Sequence, residues 1–383
     1  MSGKQLMKRL LREAEVDIWI DGNRPFDPQI ADERFYGRLI AGGTKALGEM
    51  YAEGWWSCED LPELFARILR SNLLTGVRNM PAVWLREKAR TLHALLTNRQ
   101  TIQRSRKVGE VHYDDRLFNS IVLGSRMSGT CAYFDTGATT LDEAQDAKLD
   151  LVCRKLGLSS MDSVIDIGCG WGSFGGFAQE KYGANVDGFT ISKDQAAYAC
   201  ERYSDLVGGP LTFSVADYRQ MHRLYGEYHY AVSLGMLEHV GVRNYGTYFS
   251  IVKDLLDKDG IFLLHCITAN TPEATTDEFI NAYIFPGGQL GTEWQIIRAA
   301  RRAGFIVEDV HNLGVNYEKT LHAWNENLQA RRREMVAQKG EHGTRIFEYY
   351  LQSCEGGFRA RAINVMQFVL TPNGRLGGYV SIR

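Results

Sequence analysis

Val164-Ile165-Asp166-Ile167-Gly168-Cys169-Gly170-Trp171-Gly172 is the stretch of this 383-residue chain whose reading decides the fold. A short apolar run carrying one acid gives way to Gly-x-Gly-x-Gly, and Ser173-Phe174-Gly175-Gly176-Phe177 then opens a helical pattern. Glycines at such a turn let the backbone bend sharply and come close to a ligand. The dinucleotide-binding fingerprint would place its third glycine at position 173, where this chain has Ser173, so nicotinamide cofactors are disfavoured. The order strand, glycine turn, helix nevertheless marks a ligand crevice.

Working outward, the same rhythm repeats. Residues 141–158 read as a helix ahead of the 163–168 strand, and 173–182 as the helix behind it. Strand 184–190, helix 195–206, strand 211–218, strand 230–240 with a loop at its carboxyl end, helix 244–256 and strand 260–267 follow in turn. Strands separated by helices of this length imply right-handed crossovers and a parallel sheet covered on both faces. Ligands of such sheets bind beyond the carboxyl ends of the strands. The candidate binding residues are therefore Asp166, Gly168, Gly170 and Gly172 after the first strand, Thr190 and Gln195 after the second, and Asp217 and Tyr218 after the third. Asp187 lies inside the second strand, three residues too early to meet a ribose. Thr190 and Gln195 offer a hydroxyl and an amide in its place. An acid at the strand end followed by Gly-x-Gly-x-Gly looks like the S-adenosylmethionine loop of class I methyltransferases, with Asp217 where such enzymes hold the adenine amino group.

The first hundred residues follow a different pattern. Leu61, Leu64, Phe65, Ile68 and Leu69 form the apolar stripe of an amphipathic helix, and Leu85, Ala89, Leu92 and Leu96 form a second. Residues 98–108 turn polar and basic, so the expected division is a helical domain over 1–107 and an α/β domain over 108–383. Formal net charge is −2, which advertises no nucleic-acid binder. That total hides an asymmetry: residues 1–110 hold 18 Lys and Arg against 14 Asp and Glu, the remainder 26 against 32. Between Arg67 and Lys107 ten basic residues are opposed by Glu87 alone. Such a basic, amphipathic stretch suits an anionic bilayer surface.

Seven scattered cysteines with no Cys-x-x-Cys pair argue for reduced thiols, a cytoplasmic setting and no structural zinc. No run of about 18 apolar residues suggests a membrane span, and the charged start, MSGKQLMKRLLREAEVDI, lacks the apolar centre of a signal peptide.

Several pieces then carry a family resemblance. They are Leu47-Gly48-Glu49 with Tyr51 and Gly54-Trp55-Trp56, His112-Tyr113-Asp114, Cys131-Ala132-Tyr133-Phe134, Asp166 to Gly172, and Thr190-Ile191-Ser192 with Gln195. Further along come Glu238-His239-Val240-Gly241, Leu263-Leu264-His265, Tyr283 to Gly288, Tyr317 and Phe358-Arg359. In this order they resemble cyclopropane-fatty-acid synthases and mycolic-acid cyclopropane synthases over nearly the whole chain. The amino-terminal part is similar to the bacterial phospholipid enzymes, which carry an extra helical domain.

The resemblance implies a seven-stranded, mostly parallel class I methyltransferase sheet, with S-adenosylmethionine as co-substrate and unsaturated phospholipid as acceptor. It implies methylene addition across a cis double bond, through a carbocation deprotonated by a bound bicarbonate. The ligand set carried over for that ion is Cys131, Glu238, His265, the backbone of Ile267, and Tyr317. It also implies a homodimer, peripherally attached to the membrane. In the segment expected to cap the cofactor, Tyr113 and Thr130 are the contacts carried over. That segment departs from the family twice: His112-Tyr113-Asp114 is followed by Asp115-Arg116-Leu117-Phe118, and Gly129-Thr130 stands where a Tyr-Ser pair is usual. Two alternatives stay open at this point. One is a methyltransferase that methylates an acyl chain or a small amine without ring closure, since plant benzylisoquinoline N-methyltransferases look similar around Cys131 and the glycine loop. The other is a non-catalytic lipid- or cofactor-binding homologue.

Overall fold

A computed structural model of the chain describes residues 2–73, 116–221, 227–270 and 276–383. The chain divides into two compact units. One comprises residues 100–274, 288–316 and 364–383; the other takes in 1–99, 275–287 and 317–363.

The first unit holds a seven-stranded sheet. Its strands are β1 (Ser163–Ile167), β2 (Asn185–Thr190), β3 (Leu211–Val215), β4 (Tyr228–Leu234), β5 (Leu256–Ala269), β6 (Ile306–Asn312) and β7 (Ile363–Thr371). They lie in the order β3-β2-β1-β4-β5-β7-β6. Neighbours from β3 through β5 are parallel, whereas β6 and β7 pair antiparallel. This is the mostly parallel sheet that the resemblance implies. β1, where the order reverses, is followed directly by the glycine loop, the position at which such sheets bind ligands.

Strand periodicity of two explains the core. Ile165, Ile167, Phe262 and Leu264 point to one face and pack with Tyr248, Phe249, Val252 and Ile296. Val164, Ile261 and Leu263 point to the other and meet Leu149, Val152, Phe174 and Phe177. Both faces are covered, so the strands read as nearly continuous apolar runs. Helix Leu141–Leu156 begins at a capping box, Thr140 with Glu143, and ends at Gly157 with φ 69°.

The second unit is helical, and it is not only amino-terminal. Helices Phe35–Ala52 and Leu61–Arg70 pack with Glu278–Tyr283 and with Arg332–Arg359. Tyr349 is surrounded by Trp56, Phe65 and Phe279, with ring centroids 6.4, 5.6 and 4.7 Å away. Gly48 lies so close to Phe279 that an added Cβ would fall 2.3 Å from its ring. Tyr283 Oη donates to Glu49 Oε1 at 2.7 Å, and Arg359 gathers Glu318 at 2.9 Å and the buried Glu355 at 2.8 Å. The expected division at residue 107 falls outside the described residues. What differs from expectation is that 317–363 packs with the amino-terminal helices, through contacts that join residues up to about 300 positions apart. Leu61 and Leu64 of the first amphipathic stripe are buried, as its spacing requires. The second stripe lies outside the described residues.

Candidate active site

The loops after β1, β2 and β3 carry the first group of candidate residues. After β1, Gly168, Gly170 and Gly172 adopt φ of 88°, 54° and 83°, the left-handed region that side chains other than glycine rarely enter. Asp166 is buried and its Oδ2 has no hydrogen-bond partner. Burial raises its pKa to about 7, opposed by the nearby Lys148.

After β2, Thr190 Oγ1 donates to Gln195 Oε1 at 2.8 Å and accepts from Ser192 N at 3.2 Å, which locks the two predicted residues together. Asp187 is spoken for inside the sheet: the hydroxyls of Thr212 and Tyr228 both donate to it, the latter at 2.8 Å. After β3, Asp217 is buried and accepts from the guanidinium of Arg219 at 2.7 and 2.6 Å. Arg219 N also donates to Asp217 Oδ1, at 3.0 Å. Tyr218 is buried with its ring 5.2 Å from that of Tyr248. Tyr113 falls outside the described residues.

The β4 and β5 edges carry the second group. β4 ends at Leu234, opposite His265 of β5, and Gly235 N donates to His265 O at 2.8 Å. The following turn presents Glu238, whose Oε1 accepts from Ile267 N at 2.7 Å. The Ile267 amide, expected to face a bound anion, is thus engaged by Glu238 in this structure. Glu238 Oε2 is buried with no partner among the described residues, and burial raises the carboxyl pKa to about 7. His265 is 1% exposed; Gln367 Nε2 lies 3.3 Å from its Nδ1, and its Nε2 has no partner among the described residues. With Gln367 donating to Nδ1, the neutral ring carries its proton on Nε2. Burial keeps the ring neutral by lowering its pKa to about 3.

Cys131 is fully buried, with Sγ 3.2 Å from Ala132 O and 3.9 Å from Leu313 O. The residue before it, Thr130, presses on Gly235: a Cβ built there would lie 2.6 Å from Thr130 Cγ2. Cys131, Glu238, His265 and Ile267 are therefore linked through a short chain of contacts. Tyr317, the fifth expected ligand, belongs to the helical unit, where it is buried and stacked on Phe358 with ring centroids 4.5 Å apart. Sequence reasoning missed Lys148, Gln145, Gln367 and Arg219, which touch the expected residues from behind. The only signal for the first two was their helical spacing of three on one face.

Glu238 gives a pH prediction. Its carboxyl pKa is near 4.5 unfolded and about 7 folded, so the folded protein binds the proton more tightly between those values. Stability from this group is complete below pH 4.5 and is lost as the pH rises through 7. The loss is on the order of 3 kcal/mol. Thermal unfolding of ligand-free Glu238→Gln should lack this component, so that the gap in Tm between variant and wild type widens from pH 5 to pH 8. Parallel curves would contradict it.

Comparison with known proteins places this geometry. The sequence pattern of the mycolic acid cyclopropane synthetase family matches residues 100–368. The cyclopropane-fatty-acyl-phospholipid synthase of Escherichia coli K12 is 38% identical over 360 residues, covering 94% of this chain and 91% of that protein. A probable fatty acid methyltransferase of Pseudomonas putida is 32% identical over 372 residues, covering 92% and 90%. Among solved structures, a mycolic acid cyclopropane synthase in complex with SAH and CTAB is 34% identical with a TM-score of 0.64, covering 70% of this chain and 98% of that one. The glycine loop, the strand-edge carboxylate and the buried imidazole thus sit in a chain that belongs to the mycolic acid cyclopropane synthetase family.

Proposed function

We propose that this protein is a cyclopropane-fatty-acyl-phospholipid synthase: it uses S-adenosylmethionine to add a methylene across a cis double bond of a phospholipid acyl chain. The observation that carries the reading is the pair of buried, unpartnered atoms at the β4 and β5 edges, Glu238 Oε2 and His265 Nε2. An acceptor and a donor left without partners in an apolar interior are costly unless a ligand satisfies them.

The chemistry asks for such a place. An alkene is a weak nucleophile, so the methyl donor must be held close and in line. Gly168, Gly170 and Gly172 bring backbone near the donor, while Thr190, Gln195 and Asp217 offer polar groups for its ribose and adenine. The cation formed on the acyl chain would be captured by water, so the surroundings must be dry. Burial of Cys131, Glu238 and His265 meets that need. Bicarbonate suits the donor set: Glu238 would accept its O–H, His265 Nε2 and the Cys131 thiol would donate to its other oxygens, and the Ile267 amide, which donates to Glu238 Oε1 at 2.7 Å, would orient the accepting carboxyl group. Bound there, it would supply the weak base that removes a methyl proton as the ring closes. The chain's own part is to hold that proton-carrying oxygen on Glu238 and to keep His265 neutral.

The basic run from Arg67 to Lys107 would bring the enzyme to an anionic bilayer, at about 1 kcal/mol per cationic side chain near the surface. Only Arg67 and Arg70 of it are described, and Arg67 is already paired with Glu63 at 2.8 Å and Asp17 at 3.0 Å. The weight therefore falls on Arg86, Arg90 and Arg99. Reversing those three charges should abolish low-salt binding to anionic vesicles, and binding that survives would remove this part of the proposal.

The test of the reaction is incubation with methyl-labelled S-adenosylmethionine and vesicles of unsaturated phospholipid, followed by fatty-acid analysis. Gain of one CH₂ with loss of the double bond supports the proposal. A methylated chain that keeps its double bond points to methyl transfer without ring closure, and absence of label points to a non-catalytic homologue.

A further inference from the structure

Helix Leu141–Leu156 turns three polar side chains into the interior, Gln145, Lys148 and Lys155, and none is used by the reaction just described. Lys148 is fully buried, its Nζ 2.7 Å from Ser128 Oγ and 3.0 Å from Thr130 Oγ1. Gln145, one helical step earlier and equally buried, donates from Nε2 to the carbonyls of Ser128 at 3.2 Å and Thr130 at 3.0 Å. A fifth bond, Tyr133 N to Ala144 O at 2.9 Å, closes the far end. The segment Ser128-Gly129-Thr130-Cys131 is irregular backbone containing an exposed glycine, so nothing in its own conformation fixes it. Two side chains of one helix bond to it from outside.

A lysine in such a place is expensive. Burying an ammonium without a carboxylate directly bonded to it costs several kcal/mol. Two neutral hydroxyls are modest compensation. Hydrophobic residues would serve the core better, yet the side chain reaches the two hydroxyls that bracket Gly129, immediately before Cys131. Thr130 in turn rests on Gly235, where β4 leaves toward Glu238. The charge also lies within electrostatic range of Cys131, Asp166 and His265. Two of the expected anion ligands, Cys131 and His265, thus feel this cation, and His265 also feels Lys155 of the same helix.

We propose that Lys148, with Gln145, is a positioning residue: it clamps Ser128–Cys131 so that the Cys131 thiol is presented to the bound anion, and its charge favours an anion there. This inference rests on the bicarbonate reading above. It assigns no contact between Lys148 and substrate.

The experiment uses the full-length protein saturated with S-adenosylhomocysteine, so that changes in cofactor affinity do not enter. Bicarbonate is titrated calorimetrically in CO₂-depleted buffer against wild type, Lys148→Met and Ser128→Ala, and hydrogen exchange of the 128–133 peptide is followed in each. Lys148→Met should weaken bicarbonate binding at least tenfold and speed exchange of that peptide. Ser128→Ala, which leaves the charge in place, should do both to a smaller degree. Rescue of the peptide's protection but not of anion affinity by Lys148→Gln would also support the inference, because it separates the clamp from the charge. Unchanged bicarbonate affinity in a folded Lys148→Met protein, or faster exchange spread over the whole domain, would overturn it. Failure of wild type itself to bind bicarbonate is a separate result, and it would overturn the proposed mechanism together with this inference. Should Lys148→Met not fold, Ser128→Ala decides: wild-type affinity and wild-type exchange in that variant overturn the clamp.

Discussion

Glu238→Gln should lower cyclopropane formation by about 10²–10⁴-fold, the range typical of a lost proton-handling group, while binding of S-adenosylhomocysteine stays within twofold. The substitution is nearly isosteric. The variant's amide oxygen can still accept from Ile267 N, the bond that Glu238 Oε1 makes at 2.7 Å. What changes is the other side. An NH₂ replaces Oε2, the atom left without a partner in the buried carboxyl, and an acceptor becomes a donor. Opposite an O–H this places donor against donor, so the ligand that Glu238 would orient either turns or leaves. Glu238→Asp keeps the chemistry but withdraws it by one methylene, and should fall between the two. Steady-state rates on vesicles, with cofactor affinity measured separately by dialysis, read both quantities. A Glu238→Gln enzyme within threefold of wild type would sink the assignment.

Much of this site was legible in the sequence because its parts follow from local periodicity. The first five strands announce themselves as apolar runs, and a glycine turn after the first of them locates the crevice. Position alone takes Asp187 away from the strand end: inside β2 its carboxylate meets the hydroxyls of Thr212 on β3 and Tyr228 on β4. Other features depend on contacts that no local window contains. Tyr349 packs with Trp56 and Phe279, and Arg359 with Glu318, so segments read as part of an α/β domain belong to the helical unit. β6 and β7 pair antiparallel although about 50 residues lie between them in the chain. Lys148 was invisible for another reason. A lysine between apolar residues of an amphipathic helix reads as a solvent-facing edge, and only the fold shows it turned inward.

The three loop glycines look equivalent in sequence, but the structure separates them, and this gives the second large effect. Gly172 has φ 83°, and a Cβ there would lie 2.8 Å from Ala199 Cβ and 2.8 Å from the Phe213 ring. Neither neighbour is the free end of a flexible chain; both belong to the packed core beneath the loop. Gly172→Ala therefore carries a left-handed backbone cost of about 1–2 kcal/mol and an overpacking cost of about 1–3 kcal/mol. It should lower Tm by several degrees and lose cofactor binding as the loop shifts. Gly170 has φ 54°, close to the left-handed minimum, and a Cβ there meets nothing within 4 Å among the described residues. Gly170→Ala should cost only about 1 kcal/mol, so its Tm should stay near that of wild type. Its methyl, however, projects into open space on the side proposed for the cofactor. S-adenosylmethionine affinity should therefore drop at least tenfold with little loss of stability. The two variants thus separate a glycine required by the protein's own packing from one required by its ligand. If Gly170→Ala binds S-adenosylmethionine as wild type does, the loop does not meet the cofactor at that residue, and the placement of the donor over Gly168–Gly172 must be redrawn.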